Sequence, residues 1–361
     1  MPDAAAFRAQ FPVLAEKAYL NAGTEGPLPQ AAAEAVRARI AAETEHGRCG
    51  AEYIETIKDL AGQLRAAYAR VLNADPADVA LTGSTTDGCN TVLAGLDLQP
   101  GERVVTSDEE HPGLLAPLGR LKRRGVEVVV APFAQIAEAV TPDTRLVACS
   151  HVSWVGGQVV DTDALRATGV PFLLDAAQSI GAVPVDVAAL GCAFYAGSGQ
   201  KWLCGPEGSG ALWVRRDMLD ELAAPWPGYA SVADAGDALN SPPAPDAARL
   251  DHGFPSGMRS AWALGSLGVL EAAGWEWVHA RAVDLAARLA DQLSARGLRV
   301  APRGRSTLVS WPAADPAAEV ERLAAAGVVV RSIPSHGLIR ASVGAWSTED
   351  ELARLTELAA A

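Results

Sequence analysis

Lysine is nearly missing from this sequence: of 30 basic side chains only Lys17, Lys58, Lys122 and Lys201 are lysines, and the rest are arginine. A guanidinium does not become a neutral amine nucleophile, so a lysine kept against this bias is a candidate for chemistry that arginine cannot perform. Long apolar runs are absent. No stretch of about 18 uncharged apolar residues occurs, and Met1, Pro2 and Asp3 lack the basic and apolar blocks of a targeting signal. The expectation is a cytoplasmic protein with no membrane partner. Cysteine is sparse and odd in number: Cys49, Cys89, Cys149, Cys192 and Cys204 form no C-x-x-C pair, which argues against a disulfide framework and a metal site and for reduced thiols. Basic runs stop at Lys122, Arg123 and Arg124 in a chain of net charge -13, which excludes nucleic acid as the expected partner.

What is present is globular: 361 residues with 49% hydrophobic and 20% charged side chains, enough for about two domains at roughly 150 residues each. An Ala-rich stretch at 30–44 has helical spacing. From residue 79 short apolar runs follow one another as candidate strands, at 79–82, 103–107, 126–130, 145–150, 170–175, 193–197 and 210–214, with helix-length segments between most of them. Their Val- and Leu-rich, non-alternating character predicts a mainly parallel sheet covered on both faces. Residues 226–251, rich in Pro, Ala, Gly and Asp, read as a long surface loop. A helical stretch from 258 toward 296, broken near Gly274, leads to a small α+β unit: a strand at 307–311, a helix at 316–326, strands at 328–331 and 338–343, and a closing helix from Thr348.

Three segments carry chemistry together. TGSTTDGCN at 82–90 places Ser84, Thr85 and Thr86 between a strand and a helix, where backbone N–H groups and hydroxyls suit one phosphate. FLLDAAQ at 172–178 ends a buried strand in Asp175, at the edge where open α/β sheets bind ligands; alone, Asp175 reads equally well as a helix cap. AGSGQKWLCGPEGSG at 196–210 holds Lys201 in a glycine-rich turn. A phosphate cradle, an acid for a protonated ring nitrogen and an amine able to form an imine are the requirements of pyridoxal 5′-phosphate.

With these motifs the sequence resembles the class V aminotransferase family of fold-type I pyridoxal phosphate enzymes, the group that includes cysteine desulfurases, C–S lyases and isopenicillin N epimerase-like proteins. The resemblance runs from YLNAG at Tyr19 to Leu352. It implies an α/β, three-layer fold with a mainly parallel seven-stranded sheet and a small α+β domain: 1–25 joining the small domain, 26–274 binding the cofactor, 275–361 forming the small domain. A homodimer with active sites at the subunit boundary is implied as well. Lys201 would carry the cofactor, Asp175 would hold the pyridinium proton and Gln178 would touch the ring hydroxyl. Thr85, Thr86, Ser198 and Gln200 would serve the phosphate, and His111 in EEHPG would stack on the ring and move protons. Arg340 in LIRASVG would grip the substrate carboxylate, a bidentate task, with Arg331, Asn21 and Ala22 completing the substrate pocket.

The sequence departs from the family pattern at four places. Gln200 stands where His precedes the lysine, Trp154 where many desulfurases have Asn, and Phe254 where Thr reaches the partner's phosphate, with Ser256 nearby as a substitute. The segment 331–340 contains Ser335 and His336 but no Cys, so the loop bearing a desulfurase's persulfide-forming cysteine is missing; Cys204 reads as a packing residue. The leading expectation is an aminotransferase for a small α-amino acid. A β-eliminating C–S lyase is the alternative, racemisation a third outcome, and a non-catalytic cofactor-binding module is disfavoured because Lys201, Asp175 and Arg340 are all retained.

Overall fold

The computed structural model describes residues 3–360. In chain order the elements are α1 (Ala4–Ala9), β1 (Ala18–Tyr19), α2 (Gln30–His46), α3 (Gly50–Leu72), β2 (Val79–Thr82), α4 (Thr85–Gly95), β3 (Arg103–Ser107), α5 (Pro112–Arg123), β4 (Glu127–Ala131), β5 (Thr144–Ser150), α6 (Thr162–Ala167), β6 (Phe172–Asp175), α7 (Val187–Leu190), β7 (Phe194–Ser198) and β8 (Gly210–Val214). After the long loop come α8 (Gly257–Ala273), α9 (Trp275–Ala295), β9 (Leu308–Pro312), α10 (Pro316–Ala325), β10 (Val328–Val329), β11 (Arg331–Ile333), β12 (Leu338–Ser342) and α11 (Glu349–Ala359).

The seven expected strands form one sheet in the order β2-β8-β7-β6-β5-β3-β4. Pairs from β7 to β4 are parallel, whereas β8 runs antiparallel to both β7 and β2. Strands β6, β7 and β8 are buried at every position, which is why they read as unbroken apolar runs. Ser150 pairs with Asp175 and Asp175 with Ala196, so the C-terminal ends of β5, β6 and β7 line up along one sheet edge. That edge is where a doubly wound sheet leaves its crevice.

Residues 50–72, given no element by the sequence, form the longest helix. Ile57, Ala61, Leu64, Tyr68 and Val71 recur on its buried face at helical spacing. Arg65 on this helix donates to Asp251 Oδ2 at 2.6 Å, and Asp251 Oδ1 accepts from the Leu81 backbone N–H at 2.8 Å. This largely buried pair, with Asp251 buried and Arg65 half-buried, ties α3 and the end of the long loop to strand β2. The break at Gly274 is real: its φ of 85° is left-handed, a conformation that glycine adopts without penalty.

The C-terminal part builds an antiparallel sheet, β11-β12-β9. The expected strand at 328–331 is divided in two: β10 pairs in parallel with β1, while β11 turns to pair with β12. Asn21 bridges Ser342, and the Ser342 N–H donates to the Leu20 carbonyl at 2.7 Å. Two chain ends far apart in sequence therefore meet, and loop 21–26 is carried directly over the end of the large sheet. No helix among the described residues is long and apolar enough to cross a membrane.

Candidate active site

The anion end of the site is assembled from β2, α4 and β7. Ser84 caps α4, its Oγ accepting from the Asp87 N–H at 3.1 Å. The next residue, Thr85, donates its N–H to Ser198 Oγ at 2.9 Å and shares a 2.6 Å hydroxyl contact with the same atom. Gly88 lets the helix lie this close: a Cβ there would stand 2.8 Å from Ala196 Cβ. Thr86 is exposed on the same first turn, with its Oγ1 against Gly113. Two buried hydroxyls at a helix N-terminus and a third beside them suit a phosphate. Ser198→Ala removes the hydroxyl that meets both the Thr85 N–H and the Thr85 hydroxyl, so cofactor affinity in an equilibrium titration should fall about ten-fold, the worth of one hydrogen bond to a charged ligand.

At the ring end, Asp175 lies buried with Oδ1 accepting from the Ala177 N–H at 3.0 Å. Burial pushes its carboxyl up, while that backbone bond and Lys201 pull it down. The following residues form turns rather than the helix that a cap would require. Lys201 is pushed down to about 8, first by burial; Asp175 opposes the shift, Arg340 and Arg331 add to it, and Glu25 opposes it. Near neutral pH this amine is far closer to its nucleophilic form than an ordinary lysine. His111 caps α5, its Nδ1 accepting from the Gly113 N–H at 3.0 Å, so its proton resides on Nε2. Burial first, then Lys201, Arg331 and Arg340, lower it to about 4. Gln178 has both amide ends engaged, Nε2 donating to the Gly23 carbonyl at 2.8 Å and Oε1 accepting from Trp202 Nε1 at 3.1 Å. Gln200 keeps a buried Oε1 without a partner.

The third part is contributed by β11, β12 and loop 21–26. Arg340 is completely buried, yet only Nη1 is engaged, donating to the Trp154 carbonyl at 2.7 Å; Nε and Nη2 have no partner, nor has the neighbouring Ser342 hydroxyl. Burial, then Arg331, lowers its guanidinium to about 9. Unpaired donors this deep are costly, and their convergence marks a place prepared for an anion. Arg331 donates weakly to Thr24 Oγ1 at 3.4 Å, and Thr24 in turn donates to Asn21 Oδ1 at 2.8 Å. Ala22 is buried. Ser256, beside the exposed Phe254, spends its hydroxyl on capping α8.

Two acids near the site went unremarked in the sequence. Glu110 is buried and takes hydrogen bonds from Ser107 Oγ at 2.5 Å and from Ser150 N and Oγ at 2.9 and 2.6 Å; burial raises it to about 7. Glu25 is half-buried over the lysine turn, raised to about 7 first by burial, then by Glu207, against Lys201. The next residue, Gly26, is fixed there: a Cβ would come within 2.1 Å of the Lys201 carbonyl. The doubled acid before His111 was the available signal for Glu110. Nothing in the sequence signalled Glu25.

Cys204 closes the lysine turn in a left-handed conformation, φ 56°, with its carbonyl taking Trp262 Nε1 at 3.0 Å and Ser266 Oγ at 2.7 Å. It is buried, and burial drives its thiol far up. A thiol that does not ionise is no nucleophile, so Cys204→Ser should retain turnover within about two-fold in a steady-state assay. Loss of turnover with cofactor still bound would overturn this.

A family model for aminotransferase class V matches residues 19–355. Among curated proteins, the chain is 32% identical over 244 residues to a probable cysteine desulfurase of Methanothermobacter thermautotrophicus, covering 64% of this chain and 61% of that protein. It is 31% identical over 259 residues to isopenicillin N epimerase of Streptomyces clavuligerus, covering 66% and 62%. The chain thus spans about three-fifths of the length of these curated relatives. A solved structure of the cystine C–S lyase C-DES with its reaction product cysteine persulfide superimposes with a TM-score of 0.91 at 30% identity, over 97% of this chain and 99% of that one. A C-DES variant with glycine covalently linked to the PLP cofactor gives a TM-score of 0.92 at 29% identity, over 100% and 99%.

Proposed function

Because the chain belongs to the class V aminotransferase family, whose cofactor is pyridoxal 5′-phosphate, we propose that it is a β-eliminating C–S lyase acting on a cysteine-derived amino acid. The sequence by itself leads with transamination; the likeness to a cystine C–S lyase over nearly the whole chain supports elimination instead. The hairpin β11-β12 supports it too. It is closed by the short turn Pro334–His336, which offers no thiol to take a sulfur atom, and elimination needs none.

The residues present fit the cofactor. Thr85, Thr86, Ser198 and the Gln200 amide N–H group would hold the phosphate, Asp175 the ring nitrogen's proton, and His111 one ring face, with Gln178 beside it. When bound, the cofactor supplies an electron sink for the pair left at the substrate's Cα. Arg340 binds the substrate carboxylate through its two free nitrogens, with Arg331, Asn21 and Ala22 lining the same pocket. Lys201, with its amine free, would take the α-proton; its lowered pKa makes it a base near neutral pH. His111, held neutral, does not add charge beside the lysine. The Cβ–S bond then breaks with its electron pair on sulfur. For cystine and one water the products are pyruvate, ammonia and cysteine persulfide.

This reading includes the division into a large cofactor-binding part and a small part joined by residues 1–25, and a homodimer. Exposed apolar side chains support the latter: Trp226, Tyr229, Phe254 and Met258 are all solvent-exposed, with the Tyr229 and Phe254 rings edge-on at 6.1 Å. Incubating the holoenzyme with cystine and with S-methylcysteine tests the activity. Pyruvate and ammonia released in equal amounts is the expected result. An aminated cofactor with a keto acid instead returns the enzyme to transamination, and loss of the α-hydrogen without products makes it an epimerase.

A further inference from the structure

Trp154 lies between the large sheet and the β11-β12 hairpin, and four groups meet it. His111 stands edge-on to its ring at 5.1 Å and 86°, and His336 edge-on at 6.1 Å and 88°. The Arg331 guanidinium is 5.7 Å from the ring centroid, and Arg340 donates to its carbonyl at 2.7 Å. Three of the four come from the hairpin.

Two arginines facing one pocket repel each other, and protein sites commonly answer this with a carboxylate. None does so here: neither arginine is ion-paired among the described residues. An aromatic face attracts a guanidinium through its quadrupole, and a carbonyl attracts one through its dipole. Trp154 offers both without an anion. A carboxylate in its place would occupy the donors of Arg340 that are now free and compete with any incoming acid.

We propose that Trp154 is a positioning residue for the substrate carboxylate: its ring holds Arg331 and its carbonyl holds Arg340, aligning both cations while leaving Arg340 Nε and Nη2 open. This rests on the reading of Arg340 as the carboxylate ligand.

The test compares holoenzyme Trp154→Ala and Trp154→Phe with the unaltered protein, measuring equilibrium Kd for glycine and for methylamine, which has no carboxylate. The alanine variant should bind glycine about ten-fold more weakly and methylamine unchanged, whereas phenylalanine, which keeps an aromatic face for Arg331, should stay within about two-fold; both variants keep the backbone carbonyl. Equal weakening for both ligands, an unaffected glycine Kd in the alanine variant, or equal damage from phenylalanine overturns the proposal. An unaltered protein that binds glycine no better than methylamine removes the reading of Arg340 itself, a failure recognisable before any variant is made.

Discussion

Lys201→Arg is expected to lower kcat/KM by about 10⁴-fold or more, since a positioned acid–base group alone is worth up to that factor and the variant also loses the amine proposed to carry the cofactor. Arginine keeps the positive charge and much of the volume, so the change isolates the loss of a deprotonating amine. The expected readout is stopped-flow or steady-state turnover, together with loss of the wild type's visible imine absorbance. In the cofactor-free protein, acylation of Lys201 should accelerate as pH rises through about 8, because burial has displaced the amine's titration below the usual lysine range. A midpoint at the ordinary lysine value would show that the amine is not in the environment described.

Arg340→Met is expected to move binding and stability in opposite directions. The free nitrogens of Arg340 are the only fully buried, unpaired guanidinium donors among the described residues, and removing a buried charge from the carboxylate proposed to bind it costs about 2–5 kcal/mol, at least about 30-fold in glycine Kd. Without ligand the same charge is a liability. Replacing it with an apolar side chain of similar length should stabilise the ligand-free protein on the order of 1 kcal/mol, even after the bond to the Trp154 carbonyl is lost. Calorimetry of the apoprotein decides: a lowered Tm would mean that Arg340 is satisfied by something other than substrate.

Much of the fold is legible in the chain. Strands β2 to β8 fall within about two residues of the apolar runs, because most of them are buried and need no polar alternation, and several of their ends are marked by Gly, Asp and Ser. The long α3 carries an apolar stripe, Ile57, Ala61, Leu64, Tyr68 and Val71, to which the sequence reading assigns no element although its spacing is helical; packing on α8 buries it. The strand expected at 328–331 is cut in two because β1, more than 300 residues away, claims its first half.

Residue identities and spacing alone pointed to the cofactor and put Lys201 forward as its anchor, with Thr85, Asp175 and Lys201 each at or just past a local strand-to-turn transition. Only the tertiary structure decided that Arg340 is buried with free donors, that Glu25 leans over the lysine turn, and that Trp154 receives an arginine 186 positions further along the chain. The physical reason is the same in each case: desolvation and the company of other charges belong to a place in space, and residues distant in sequence make that place.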